Sequence, residues 1–237
     1  LQQQAISAAA SWLAEAVETG SPLATLPTEV TPQTPEEGED LAGEVLEVLG
    51  LIPIGIRLSP GPDGALLAGP MLEGRLLPAG AAIALATLRH PVATAAVIGV
   101  LAEALLPDGN SLPKFSALHP AVDIGASRFT KAPDTAALAA ADLGGLGLVV
   151  AGRPGLPVLP DAVPVTLALA GKRPRPVDSD VASALAAAAQ AAQRLGGLPA
   201  GAVLVVAGLG PVALVPESGM VLAASLGPIG RVKAAIV

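Results

Sequence analysis

The stretch His119 to Phe129, HPAVDIGASRF, sets a carboxylate (Asp123), a hydroxyl (Ser127) and a guanidinium (Arg128) in an apolar frame of Val122, Ile124 and Phe129. Side chains alternate along an extended strand. Asp123, Gly125 and Ser127 would therefore share one face, and Val122, Ile124 and Ala126 the other. One face can then pack while the other holds an anion or a metal. The competing reading is an edge strand whose Asp and Arg are solvated or paired with each other, since surface ion pairs often contribute nothing measurable.

Other chemistry-bearing residues are sparse. Arg57 in IPIGIRLS is a second cation on a short extended run, and Glu73 in MLEGRLL lies beside Arg75. His90 and His119 each precede a proline, and neither has a partner at metal-ligand spacing, so both read as cap or packing residues. The KRPR cluster, Lys172 to Arg175, reads as a solvated turn, with an anion contact as the lesser alternative. The chain has no cysteine, which excludes disulfides and thiolate chemistry. No Ser-His-Asp order or P-loop is present, and GLGLVVAG lacks the helix and acidic residue that a dinucleotide motif requires.

The 237 residues suit one sizeable unit with its own core. Apolar residues make up 52%, yet only Trp12, Phe115 and Phe129 are aromatic, so the core must be aliphatic. Gly 27 and Pro 24 are spread among apolar runs, which argues against disorder. The net charge of −7, with no basic stripe, argues against nucleic-acid binding. The charge is local: no Lys or Arg precedes Arg57, and the acids crowded before it read as a solvated helical face. The start, LQQQAISAAASW, lacks the basic region of a signal peptide, and a cytoplasmic location is expected. The uncharged run Leu198 to Pro216 is long enough to span a bilayer. Its Pro199, Gly201, Gly208, Gly210 and Pro211 break it into paired strands, so no membrane association is expected.

The elements that must position these residues follow from periodicity. Ala5 to Thr19 reads as a helix stopped by Gly20, and Ser21 to Gln33 as an extended connector. Thr34 caps a second helix, with Pro35 at its first position, acids at the positive end of the dipole and Gly50 as its stop. Residues 1–50 thus form a helical lead-in, and residues 51–237 a strand-rich remainder. Leu51 to Ser59 reads as a strand running into the Pro60 to Gly64 turn, and Ala79 to Leu88 as an apolar strand. Val92 to Leu106 reads as a helix stopped by Pro107 and the Asp108 to Asn110 turn. After the HPAVDIGASRF strand come a turn at Lys131 to Thr135 and strands at Gly145 to Gly152 and Val163 to Ala170. An Ala-rich helix capped by Asp178 or Ser179 runs to Leu195, and four short strands, VLVVAG, PVALV, VLAAS and RVKAAIV, close the chain. Helices first and strands afterwards make an α+β pattern.

HPAVDIGASRF resembles the P-A-[LIV]-E-[IV]-x-x-S-R segment of the 2-keto-4-pentenoate hydratase / 4-oxalocrotonate decarboxylase family, relatives of fumarylacetoacetate hydrolase. The C-terminal LPAGAVLVVAGLGPVALVPESGMVLAASLGPIGRVKAAIV is similar to that family's closing pattern, with Gly210, Pro211 and Gly227 to Val232 in place. The resemblance runs from Ala5 onward and implies a mixed β-roll, an oligomer and a lyase that adds water to a dienol or decarboxylates an α-keto acid. It also implies Mg²⁺ or Mn²⁺, because a divalent ion needs hard oxygen ligands and stabilises the enolate.

The pattern is incomplete here. Asp123 stands where the family has a metal-binding Glu. The Glu-x-Glu that supplies two further ligands, on a strand following a proline, is matched best by PAGAAIAL, which puts Gly80 and Ala82 at the carboxylate positions. The family's Lys falls on Gly55, with Arg57 two residues on, and Arg cannot shuttle protons as a tuned Lys does. An Asp-Asn pair appears as Asp142 and Leu143, and a hydroxyl and glycine near the end appear as Val206 and Ala207. The expectation is a homologue that has lost its metal ligands and catalytic Lys. It would be non-catalytic or impaired, with pocket candidates Asp123, Ser127, Arg128 and Arg57 and a small carboxylate or keto acid held by Arg128 and Arg57. No cofactor is expected, and Mg²⁺ or Mn²⁺ only if Glu73 and Asp123 rebuild a site. Two alternatives stand beside this one: an active hydratase or decarboxylase with a rearranged site, and a structural or partner-binding subunit whose pocket is filled.

Overall fold

The computed structural model describes residues 2–107, 109, 111–155, 157–158 and 162–237. Two helices lead, α1 (Gln2–Thr19) and α2 (Pro35–Leu49). The Thr34 side chain accepts from the Glu37 amide, and Gly50 closes α2 in the left-handed conformation at φ 64°. The strands β1 (Gly55–Pro60) and β2 (Leu66–Met71) form an antiparallel hairpin, followed by the two-residue strands β3 (Leu76–Leu77) and β4 (Ala82–Ile83). Next come β5 (Val92–Leu101), β6 (Phe115–Gly125), the short helix α3 (Ala136–Ala141), β7 (Leu148–Ala151), β8 (Val163–Leu169) and β9 (Val177–Ser179). The chain ends with α4 (Val181–Arg194), β10 (Val203–Leu214), β11 (Val221–Leu226) and β12 (Gly230–Ile236).

Two sheets result, ordered β2-β1-β10-β5-β6-β7-β3 and β4-β12-β11-β8-β9. Alternation in the central strands divides the core. Ile56, Leu58, Ala95, Val97, Val122 and Ile124 face the five-stranded sheet and α4, whose Val181, Leu185 and Ala188 are buried against them. The opposite face of the larger sheet, with Ala96, Ile98, Ala121 and Val205, is covered by Leu13 of α1 and by Leu41 and Val45 of α2. Arg57, Ser59, Thr94 and Asp123 lie on this helix-covered face by the same alternation. The fold is α+β, as expected.

Several expected elements differ. Val92–Leu101 is a strand, not a helix, because an apolar run buried on both faces carries no decisive period. Its Val, Ile and Thr suit the pleated environment between β10 and β6. Only Ala82–Ile83 of the expected strand Ala79 to Leu88 pairs, since Gly80 turns the chain at φ 86° and Leu85–Thr87 is a 3₁₀ turn. The cap of α4 is Asp180, whose carboxylate accepts from the Ser183 amide at 2.9 Å, while Asp178 and Ser179 pair in β9. VLVVAG and PVALV are one bulged strand, β10. Asp108 and Asn110 of the expected turn lie outside the described residues. No helix is long and apolar enough to cross a membrane among the described residues.

Candidate functional site

Arg57 and Asp123 come from β1 and β6, with β10 and β5 between them in the sheet. On the shared face the intervening strands present small side chains, Ala207 from β10 and Thr94 and Ala96 from β5. The Arg57 guanidinium meets Asp123 side-on, Nε donating to Oδ1 at 2.6 Å and Nη2 to Oδ2 at 2.7 Å. Nη1 donates to Ser59 Oγ at 2.9 Å and to the Gly144 carbonyl at 2.7 Å. Both side chains are buried, 4% and 2% exposed. Four of the five guanidinium N–H groups are engaged in this way. The fifth, on Nη2, lies beside Gly125, where an added Cβ would come within 3.5 Å.

The Gly144 carbonyl is aimed by a tight turn, Leu143–Gly145, in which Leu143 (φ 54°) and Gly144 (φ 62°) are both left-handed. Leu143 occupies the position where the resemblance calls for Asn, a residue that tolerates this conformation far better. Asp142, just before the turn, accepts from Arg128 Nε at 2.6 Å and from the Arg128 amide at 3.2 Å. Arg128 also donates to the carbonyls of Leu146, at 2.5 Å, and of Asp142. The two arginines therefore sit in two internal ion pairs.

A cavity of about 410 Å³ opens over the first pair. Its floor is Arg57, Ser59, Thr94, Asp123 and Asp142, and its walls are largely apolar, including Pro60, Leu67, Val92, Ala126, Ala207 and Val212. Ser127 reaches the cavity too, although its hydroxyl accepts from the Phe129 amide at 3.0 Å. Of the expected site residues, Arg57, Asp123 and Ser127 are brought together, while Arg128 lies behind this wall and lines a neighbouring depression. Glu73 stands exposed on a 3₁₀ turn and does not line the cavity with Asp123.

Most of the positions that depart from the family pattern lie away from this cavity. A Cβ on Gly55 would fall 1.9 Å from the Val203 carbonyl oxygen. Gly80 and Ala82 are exposed, Ala82 pairing in the other sheet, and Val206 faces the opposite core. The pair that shares the Asp123 face at period-two spacing is Thr94 and Ala96, on the strand after Pro91, with Thr94 directly opposite Asp123. That spacing after a proline was the available signal. It was missed because Val92 to Leu106 read as a helix. His90, read from the sequence as a cap or packing residue, holds Nε2 2.9 Å from the Thr130 carbonyl oxygen at φ 50° and also lines the cavity. His119 lies away from the cavity, with Nδ1 2.9 Å from the Gly152 carbonyl oxygen.

No protein-family model and no curated protein matches this sequence. Solved structures do. The chain superposes on 4-oxalocrotonate decarboxylase from Pseudomonas putida G7, complexed with calcium and acetate, with a TM-score of 0.80 at 17% identity over 100% of this chain and 99% of that one. The same enzyme complexed with magnesium and adipate gives 0.81 at 17% identity and the same coverage. This is the fumarylacetoacetate hydrolase-like fold. A fumarylpyruvate hydrolase from Pseudomonas aeruginosa, in complex with Mn²⁺ and pyruvate, shares this fold at a TM-score of 0.52 and 12% identity, over 77% of this chain and 88% of that one.

The acids of this pocket are already held by arginines, and among the described residues they leave no donor set that fits a divalent ion. Both Asp123 oxygens accept from a guanidinium, and Asp142 is neutralised by Arg128. Among the described residues no group of three His, Cys, Asp or Glu side chains converges, and no buried side-chain polar atom lacks a partner. A hard cation needs six or more oxygens, whereas the positive charge against Asp123 in this structure is the Arg57 guanidinium. The floor can orient the polar end of a small molecule through the remaining Nη2 N–H and the Thr94 hydroxyl, which already accepts from the Gly208 amide at 3.0 Å.

Proposed function

We propose that this chain is a divergent relative of the hydratases and decarboxylases of its fold that works without a divalent metal, non-catalytic or strongly impaired in their reaction, and that its cavity binds a small carboxylic or keto acid. The observation carrying this reading is the two-point Arg57–Asp123 pair, a permanent cation set on the carboxylate that the resemblance assigns to the metal. The acetate, adipate and pyruvate in the neighbours' complexes support a small acid as ligand. The engagement of Arg128 with Asp142 removes it from the expected grip and leaves Arg57 and the hydroxyls. The open cavity weighs against a pocket filled by side chains.

Titration calorimetry with Mg²⁺ and with Mn²⁺ is expected to show no site tighter than millimolar, and 2-hydroxypentadienoate is expected to be unchanged by the protein. Stoichiometric tight metal binding, or turnover abolished by a chelator, overturns the reading. A second reading, metal-free lyase chemistry, is favoured by one observation: His90 on the cavity wall is a titratable group outside both ion pairs. Turnover that persists in chelator and is lost in His90→Gln selects it.

A further inference from the structure

A second depression, of about 510 Å³, lies between the C-terminal end of α1, the 3₁₀ turn Leu85–Thr87 and the segment after β6. Three arginines line it, Arg75, Arg89 and Arg128, together with hydroxyls of Ser21, Thr87 and Ser127. Arg128 is neutralised by Asp142, but neither Arg75 nor Arg89 makes a side-chain hydrogen bond or ion pair among the described residues. Glu18, exposed on α1, is the one acid of the lining. Arg75 is half-buried, and its pKa is lowered first by that burial and then by the Arg128 guanidinium facing it. A partly desolvated cation held beside a second one, with no acid in contact, gains from a counter-charge supplied from outside the chain.

We infer that this depression is an oxyanion site in which Arg75 and Arg89 grip a phosphate- or carboxylate-bearing small molecule. Planar guanidinium groups match both anions in two-point geometry, and the volume leaves room for more than a bare ion. The depression shares Ala126 and Ser127 with the first cavity but none of its ion-pair residues, so this site stands or falls separately from the metal-free reading.

The test uses the full chain at constant ionic strength, with inorganic phosphate and succinate titrated in separate arms against chloride. Saturable heat in either arm, at least tenfold weaker in Arg75→Gln/Arg89→Gln and unchanged in Arg175→Gln on its exposed turn, supports the site, and the stronger arm names the anion. Heats no different from chloride in both arms, or equal affinity in the double variant, overturn it. Arg75→Gln removes an uncompensated cation, so without added anion it is expected to melt no lower than the parent. A melting point lowered by several degrees would show instead that Arg75 has a partner within the chain.

Discussion

Arg57 and Asp123 are separated by 66 positions, and their pairing could not be seen in the sequence, where each looked free to face a ligand. What could be read was their chemistry: a cation two residues beyond the expected Lys, and a carboxylate on the unpacked face of its strand. Because both are buried, either alone is costly. Arg57→Leu or Asp123→Leu is expected to lower stability by about 3–5 kcal/mol, since each leaves an uncompensated buried charge. The joint Arg57→Met/Asp123→Leu replacement is expected to come within about 1–2 kcal/mol of the parent, because an apolar pair of similar volume also escapes the desolvation cost. Urea unfolding of the three variants checks this, and additive losses would mean the pair is not coupled. The left-handed Leu143 is a further residue-scale departure, holding a carbonyl on Arg57 at a conformation unfavourable for its side chain.

Caps and stops were the most legible elements. Thr34, Pro35 and Gly50 bound α2 where the sequence placed them, because capping is local chemistry. The strand β5 was not legible, since Thr94 is the one polar residue in its apolar run and cannot alone set a phase, and its neighbours β10 and β6 decide its conformation. α3 lay in a stretch read as neither helix nor strand, and its six residues hold through the Thr135 cap and packing on α2. The cap of α4 makes a pH prediction. Hydrogen bonds from the Ser183 amide, and then from its hydroxyl, hold the Asp180 carboxyl below its ordinary value of 3.8. A carboxyl depressed in the folded state stabilises above the unfolded value, and the contribution is lost as pH falls through the lower, folded one. Exchange of the first-turn amides of α4 is therefore expected to accelerate in acid below that range. Asp180→Asn, which caps without titrating, should remove the acceleration.

At the scale of the molecule, the sheet β2-β1-β10-β5-β6-β7-β3 has a core on each face. The elements up to Gly50 are helical, and most of those after it are strands. The helices of the lead-in nonetheless share one packed core with Met71, Ala96 and Val205, on the same face that holds Arg57 and Asp123. Deleting residues 1–50 is expected to leave a chain that binds hydrophobic dyes and lacks dispersed amide signals, and a well-folded truncation would contradict this. Between α2 and α4, Glu39 and Arg194 add a two-point contact, Nη1 to Oε2 at 2.5 Å and Nη2 to Oε1 at 2.9 Å, so one of the lead-in acids is not merely solvated.

β10 runs in register with β5 as far as Val206, slips by one residue before Leu209, and slips by three more before it pairs again at Leu214. The excursion carries Gly210, Val212 and Ala213 onto the cavity wall, while the regular half of the strand stays buried between β1 and β5. Stiffness and slack are thereby divided along a single strand. The irregular half pairs with β5 at fewer positions than the regular half, so a local shift there would reshape the cavity rim and leave the regular ladder untouched.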